Sequence, residues 1–178
     1  MKKVAIGCDP NAQELKETIK TTLEELGHTW EDFGSEDPIY ANVAFDVAEA
    51  VAVGKFDRGI LVCGTGVGMS IAANKVPGVS AALCSDVYST ERSIKSNNCS
   101  IMTMGAFTTG RELAKSLVKT WMAAEYAPGG RSEPKIQRIV DYDKEPQRHK
   151  ENIVTIQYAQ PDTWHRDPVV GRLWSVAG

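Results

Sequence analysis

Asp57-Arg58-Gly59-Ile60-Leu61-Val62-Cys63-Gly64-Thr65-Gly66-Val67-Gly68-Met69-Ser70-Ile71-Ala72-Ala73-Asn74-Lys75 carries three signals in one run. Ile60 to Cys63 are apolar, with Gly59 before them, a length that suits a strand buried on both faces. Gly64, Gly66 and Gly68 alternate after it, and the small residues at 69–73 read as a helix. A strand, a glycine loop and a helix start aim several backbone N–H groups at one spot, where the helix dipole adds positive character. Such a spot binds an anion or stabilises an oxyanion as it forms. Cys63 stands at its rim, where a positive helix end favours thiolate over thiol. The stretch reads as an active site.

Strands and helices alternate on both sides of it. Lys3–Cys8 is an apolar strand that stops at Asp9-Pro10-Asn11, a turn and N-cap signal. Leu15, Ile19, Leu23 and Leu26 then recur at helical spacing up to Gly27. A strand at 28–33 and a helix carrying Val43, Val47 and Val51 precede the central stretch. A strand at 79–84, a helix at 86–96 and a strand at 101–104 follow it. The last helix of the series, 111–126, puts Leu113, Leu117, Val118, Trp121 and Met122 on one face. This alternation predicts an α/β fold, a five-stranded parallel sheet with helices on both faces and right-handed crossovers. Ligands of such sheets bind outside the carboxyl ends of the strands, the edge to which Asp9, Cys63, Asp86 and the glycine loop belong. Beyond Pro128-Gly129-Gly130 the pattern changes to a short helix at 132–140 and then a polar stretch broken by Pro146, Pro161 and Pro168, with a strand signal at 152–159. Trp164 and Trp174 in this last part predict that it docks on its own domain or on a neighbouring subunit. The expected organisation is a domain at 1–140 and a C-terminal extension at 141–178.

Several function classes are disfavoured. A net charge of −3 without a basic block argues against a nucleic-acid surface. No apolar run approaches membrane-spanning length, and Met1-Lys2-Lys3 leads straight into a short strand, so neither a membrane span nor a signal peptide is expected. Cys8, Cys63 and Cys84 close apolar runs without any C-x-x-C spacing, which suits reduced cytosolic thiols and a cytoplasmic location. A cysteine hydrolase needs a histidine partner, but His28, His149 and His165 lie away from the carboxyl ends of the strands. No His, Cys and carboxylate cluster has metal-ligand spacing. The loop is not a P-loop, since no Gly-Lys-Ser/Thr follows, and Met69 stands where a dinucleotide fingerprint has its third glycine. Asp86, roughly 20 residues beyond the loop, imitates a ribose-binding acid and keeps a nucleotide-binding domain among the rivals.

Read together, Gly7-Cys8-Asp9, the run from Val62 to Gly68 with Ala72-Ala73-Asn74-Lys75, Cys84-Ser85-Asp86 with Tyr88-Ser89, Asn97, Met104-Gly105, Glu112-Leu113-Ala114-Lys115 and Gly129-Gly130-Arg131 resemble one family, the type B ribose-5-phosphate isomerases and galactose-6-phosphate isomerases. The resemblance covers residues 1–140. It implies a three-layer, Rossmann-like fold and an aldose–ketose isomerisation of a sugar phosphate through a cis-enediolate, with no metal and no cofactor. Cys63 matches the family's general base, and the amides of Gly64, Gly66, Val67 and Gly68 match its anion hole, in accord with the reading of the bare residues. By the same resemblance Thr65 handles a substrate hydroxyl, Asp9 and Tyr40 contact the sugar, and Arg131 grips the phosphate. Asn97 and Lys135 fall on substrate-binding positions, and homodimers or homotetramers with shared sites are implied.

The departures are as specific as the matches. Pro10 and Ser132 replace histidines, Ser96 aligns with the histidine assigned to ring opening, and Phe107 aligns with an arginine. Lys135 aligns with a second arginine; it keeps the charge and loses bidentate geometry, although Arg138 can substitute. Two accounts fit. Either the substrate needs no ring opening, as for a tetrose 4-phosphate, or the chain is one half of a hetero-oligomeric galactose-6-phosphate isomerase. A non-catalytic sugar-phosphate sensor is the further rival.

Overall fold

The computed structural model describes residues 1–145, of which Met1–Lys144 form one unit. Its strands are β1 (Lys3–Cys8), β2 (Thr29–Asp32), β3 (Arg58–Cys63), β4 (Ala81–Leu83) and β5 (Ile101–Gly105). They pair in parallel in the order β2-β1-β3-β5-β4. The helices are α1 (Gln13–Glu25), α2 (Tyr40–Ala52), α3 (Val67–Ala73), α4 (Val87–Lys95), α5 (Arg111–Ala123) and α6 (Glu133–Lys144). This is the α/β arrangement the alternation predicts.

Side-chain alternation along the strands sorts the core into two layers. Val4, Ile6 and Cys8 of β1, Ile60 and Val62 of β3 and Met102 and Met104 of β5 pack with Leu15 and Ile19 of α1, Ile94 of α4 and Leu117 and Trp121 of α5. Ala5, Leu61, Cys63 and Ile101 belong to the other layer, with Val43, Val47 and Val51 of α2 and Met69, Ala72 and Ala73 of α3. The same parity separates the thiols, because Cys8 and Cys84 fall in the α1–α5 layer and Cys63 in the α2–α3 layer. Strand order supplies the second constraint. The chain runs from β1 to β2 on one side and returns past β1 to β3 on the other, so the carboxyl ends of β1 and β3 flank a topological switch point. Asp9, just past β1, donates its N–H to the Val62 carbonyl at 3.0 Å and so sits beside Cys63.

Several boundaries differ from the sequence expectation. β2 and β4 are shorter than 28–33 and 79–84, since both are edge strands paired on one side alone. α2 starts at Tyr40, ahead of its apolar stripe, because the Asp37 carboxylate accepts from Ile39 N–H at 2.7 Å and from Asn42 Nδ2 at 2.8 Å. α5 ends at Ala123, not at 126, where Ala124 turns extended. Its buried stripe is Ala114, Leu117, Val118, Trp121 and Met122, while Leu113 is exposed. α6 runs to Lys144, past the expected end at 140, and buries no residue. The strand signal at 152–159 and Trp164 and Trp174 lie outside the described residues.

Candidate active site

The site grows from the end of β3. Buried on both sides by β1 and β5, the strand delivers Cys63 to the carboxyl edge on the α3 side. The chain then has to turn sharply into α3. Gly66, the residue before the helix, takes a left-handed backbone with φ +80°. A side chain there would also collide, since a Cβ would stand 2.7 Å from the Met104 carbonyl carbon and 2.6 Å from Leu83 Cδ1. Glycine is the residue that fits both demands. In this turn Gly66 N–H donates to Cys63 Sγ at 3.1 Å, a buried contact. The loop is tied to the segment after β5 by Ala106 N–H to Cys63 O at 2.8 Å and Phe107 N–H to Gly64 O at 2.9 Å.

The neighbours complete one rim. Tyr40, at the start of α2, brings its hydroxyl against Gly68, where a Cβ would overlap it. Thr65 is exposed, and its Oγ1 lies 3.4 Å from Val67 N. The Phe107 ring lies against Gly64 and is 71% exposed, an apolar wall where the resemblance places an arginine. Asp9 is buried, and its carboxylate accepts from Asn11 N–H at 2.8 Å, capping the short 3-10 turn Pro10–Ala12. The structure thus gathers Asp9, Tyr40, Cys63 and the loop 64–68 at one edge.

Burial sets the protonation of the other three thiols. It pushes Cys8 up to about 11 and Cys99 up to about 12, and it raises Cys84. These three are protonated packing residues at neutral pH. Asp86 serves as the N-cap of α4, accepting from Ser89 N–H at 2.7 Å, and that bond holds its carboxyl below the ordinary value. A capping role leaves little for the ribose-binding one. Among the described residues no group of three or more His, Cys, Asp or Glu is placed to hold a metal ion, and no helix is long and apolar enough to cross a membrane.

The remaining candidates lie elsewhere in the unit. Asn97 follows α4 and lines a cavity of about 690 Å³ at the opposite, amino-terminal edge of the sheet, with Lys2, Asp57, Arg58 and Ser80. Ile136 and Val140 of α6 line that same cavity, and Asp143 accepts from Gly78 N–H at 2.7 Å, so α6 packs at that edge. Arg131 and Lys135 are exposed at the start of this helical segment. Within one chain, therefore, the expected phosphate groups and Asn97 are not gathered around Cys63. Ser96 is engaged as well, its Oγ accepting from Arg92 Nε at 2.8 Å and from the Arg92 terminal nitrogen.

Two features escaped the sequence reading. One is the Arg92–Ser96 pair, visible in principle as an i, i+4 spacing on α4. The other is Thr103, fully buried in β5, whose Oγ1 donates to the Gly66 carbonyl at 2.9 Å. A lone hydroxyl inside Ile101-Met102-Thr103-Met104-Gly105 is its signal, since a buried polar group requires a partner.

Known proteins place this geometry. The ribose/galactose isomerase family model matches residues 4–139. A D-erythrulose-4-phosphate isomerase of Pectobacterium atrosepticum is 46% identical over 147 residues, covering 80% of this chain and 96% of the relative. Ribose-5-P isomerase B of Listeria innocua is 47% identical over 145 residues, covering 80% and 97%. The solved structure of Clostridium thermocellum ribose-5-phosphate isomerase B superposes with a TM-score of 0.75 at 40% identity, over 80% of this chain and 97% of that one. With a thiol and a glycine loop at the switch point of the same fold, this chain belongs to the ribose/galactose isomerase family and is an aldose–ketose isomerase of sugar phosphates.

Proposed function

We propose that Cys63 is the general base of this isomerase and that the loop 64–68 is its anion hole. The thiolate takes the proton from C2 of the open-chain aldose, and the electron pair moves to the C1 oxygen. The cis-enediolate so formed holds its negative charge against the loop amides. The hydroxyl proton passes from O2 to O1, with Thr65 placed beside that exchange, and Cys63 returns its proton to C1 to leave a ketone at C2. Charge grows during the reaction, where fixed donors act most strongly. The observation that carries this reading is the Gly66 N–H on Cys63 Sγ at 3.1 Å, inside a turn that other residues hold rigid.

Asp9 and Tyr40 bind the sugar hydroxyls in this reading. Arg131, Lys135 and Asn97, which lie away from Cys63 in one chain, act on the site of a second copy. Val67, Ile71, Leu83, Val87, Tyr88 and Phe107 leave apolar surface exposed around the rim, of the kind that marks a protein interface. The assembly proposed is a homodimer or homotetramer with shared sites. The chemistry is placed in the domain at 1–140.

The proposed substrate is a four-carbon sugar 4-phosphate, which has no free hydroxyl able to close a stable ring. Ser96 supports this, because its oxygen accepts two Arg92 donors where ring opening would require an acid. The relative from Pectobacterium is named for such a four-carbon ketose phosphate. Proton NMR in deuterated buffer over four-, five- and six-carbon sugar phosphates tests the reading. Turnover confined to four carbons, with deuterium entering at C1 or C2, is the expected result. Turnover of ribose 5-phosphate at an equal rate refutes the substrate. Silence across the panel from folded protein refutes the chain's acting alone and favours a second subunit type.

A further inference from the structure

We propose that Thr103 is a positioning residue for the catalytic loop, a latch that sets the Gly66 peptide against Cys63; the inference rests on the base and anion-hole reading above. Thr103 lies in β5, paired with Leu61 of β3 on one side and Leu83 of β4 on the other, and is fully buried. β5 is thus a rigid platform, and the Thr103 hydroxyl reaches out of it to the Gly66 carbonyl at 2.9 Å. Ser70 N–H, from the first turn of α3, donates to the same oxygen at 3.1 Å. Two donors from two elements hold that carbonyl toward the protein interior.

What this fixes lies on either side of Gly66. Its own N–H is the donor to Cys63 Sγ. The peptide after it is trans, so the Val67 N–H points opposite to the latched carbonyl. That is the side of the exposed Thr65 Oγ1, 3.4 Å from Val67 N. The buried hydroxyl, together with Ser70 N–H, therefore fixes the Val67 amide through the peptide plane it shares with the Gly66 carbonyl, at the rim where the enediolate oxygen would lie, and the Gly66 amide at the base through the dihedrals of Gly66. Catalytic donors gain their strength from being held before the charge arrives, so loosening them lowers the rate without weakening ground-state binding.

Thr103→Val and Thr103→Ser test this. Valine keeps the shape and the strand preference of threonine and removes the hydroxyl, while serine keeps the hydroxyl. The expected result is a kcat lowered roughly tenfold or more in Thr103→Val with KM within about twofold, and near-native kcat in Thr103→Ser. Hydrogen exchange of the 64–68 amides, followed by mass spectrometry without substrate, should quicken in Thr103→Val and not in Thr103→Ser, while exchange in β1 stays unchanged. Native kcat in the valine variant, or equal loss in both variants, overturns the latch. If the wild-type chain isomerises no sugar phosphate, the functional reading fails separately. The latch is then judged on exchange alone, and unchanged loop exchange overturns it.

Discussion

Cys63 is one of four free cysteines, and the fold gives it different company from the other three. Cys8, Cys84 and Cys99 are raised by burial and remain thiols, and the base in the proposed reaction is Cys63, the sulfur that accepts the Gly66 N–H. Cys63→Ala should lower kcat by about 10²–10⁴-fold while leaving the thermal unfolding midpoint nearly unchanged; native turnover in that variant rules the base out. Gly68 offers a test of close packing. A methyl there would overlap the Tyr40 hydroxyl, so Gly68→Ala should cost about 1–3 kcal/mol in denaturant unfolding. Adding Tyr40→Ala should recover part of that loss, and a purely additive double mutant would show that the two residues do not touch. At this scale the sequence already told much. The thiol, the alternating glycines and Asp9 stand out as residue types at a strand end. Thr103 did not, because its lone hydroxyl signals that a partner is needed without naming it, and that partner, Gly66, is 37 residues away in the chain.

At the scale of elements, two buried cations hold ends in place. Arg58 opens β3 and donates to the carbonyls of Trp121 and Ala124, the latter at 2.7 Å, with its guanidinium 4.9 Å from the centre of the Trp121 ring. It closes the C-terminus of α5 from the start of the strand that faces it. Arg58→Met should destabilise the fold by about 2–4 kcal/mol, read from the urea midpoint, because buried carbonyls lose their donors. Lys16 of α1 is likewise buried and pairs with Asp32 at 2.8 Å. Burial pushes the Asp32 carboxyl up, but the bonds from Lys16 and Gly34 N–H outweigh it and leave the carboxyl below its usual 3.8. A lowered carboxylate stabilises the fold fully above 3.8 and ceases to do so as the pH falls through the folded value. Urea midpoints should therefore drop in that acid range, and Lys16→Met should flatten the drop; an unchanged slope would mean the pair is not formed. The helices were legible where apolar spacing is regular, as in α1. The start of α2 was not, since Asp37 and not an apolar residue sets it, and Leu113 matched the α5 stripe in spacing while pointing to solvent.

At the scale of the molecule, the amino and carboxyl edges of the sheet divide the expected site between them. Spacing along a chain does not reveal which edge a post-helix residue reaches, and the fold places Asn97 with Asp57 and Ser80, at the edge opposite to Cys63. If two copies share each site, inactive variants should rescue one another. Refolding Cys63→Ala together with Asn97→Ala should restore about a quarter of native activity, since half the dimers are mixed and each mixed dimer has one intact site. No recovery on mixing would require each chain to complete its own site. The two-layer core adds a constraint of a different kind. Cys63 faces α3 because it stands an even number of positions from Leu61, and Val62 faces the other layer because it does not. Losing or gaining a single residue within β3 would turn the sulfur into the α1–α5 layer and present a valine to the glycine loop. The strand can exchange its side chains across generations, but its length is a matter of parity, and only changes in twos would keep the chemistry on the right side of the sheet.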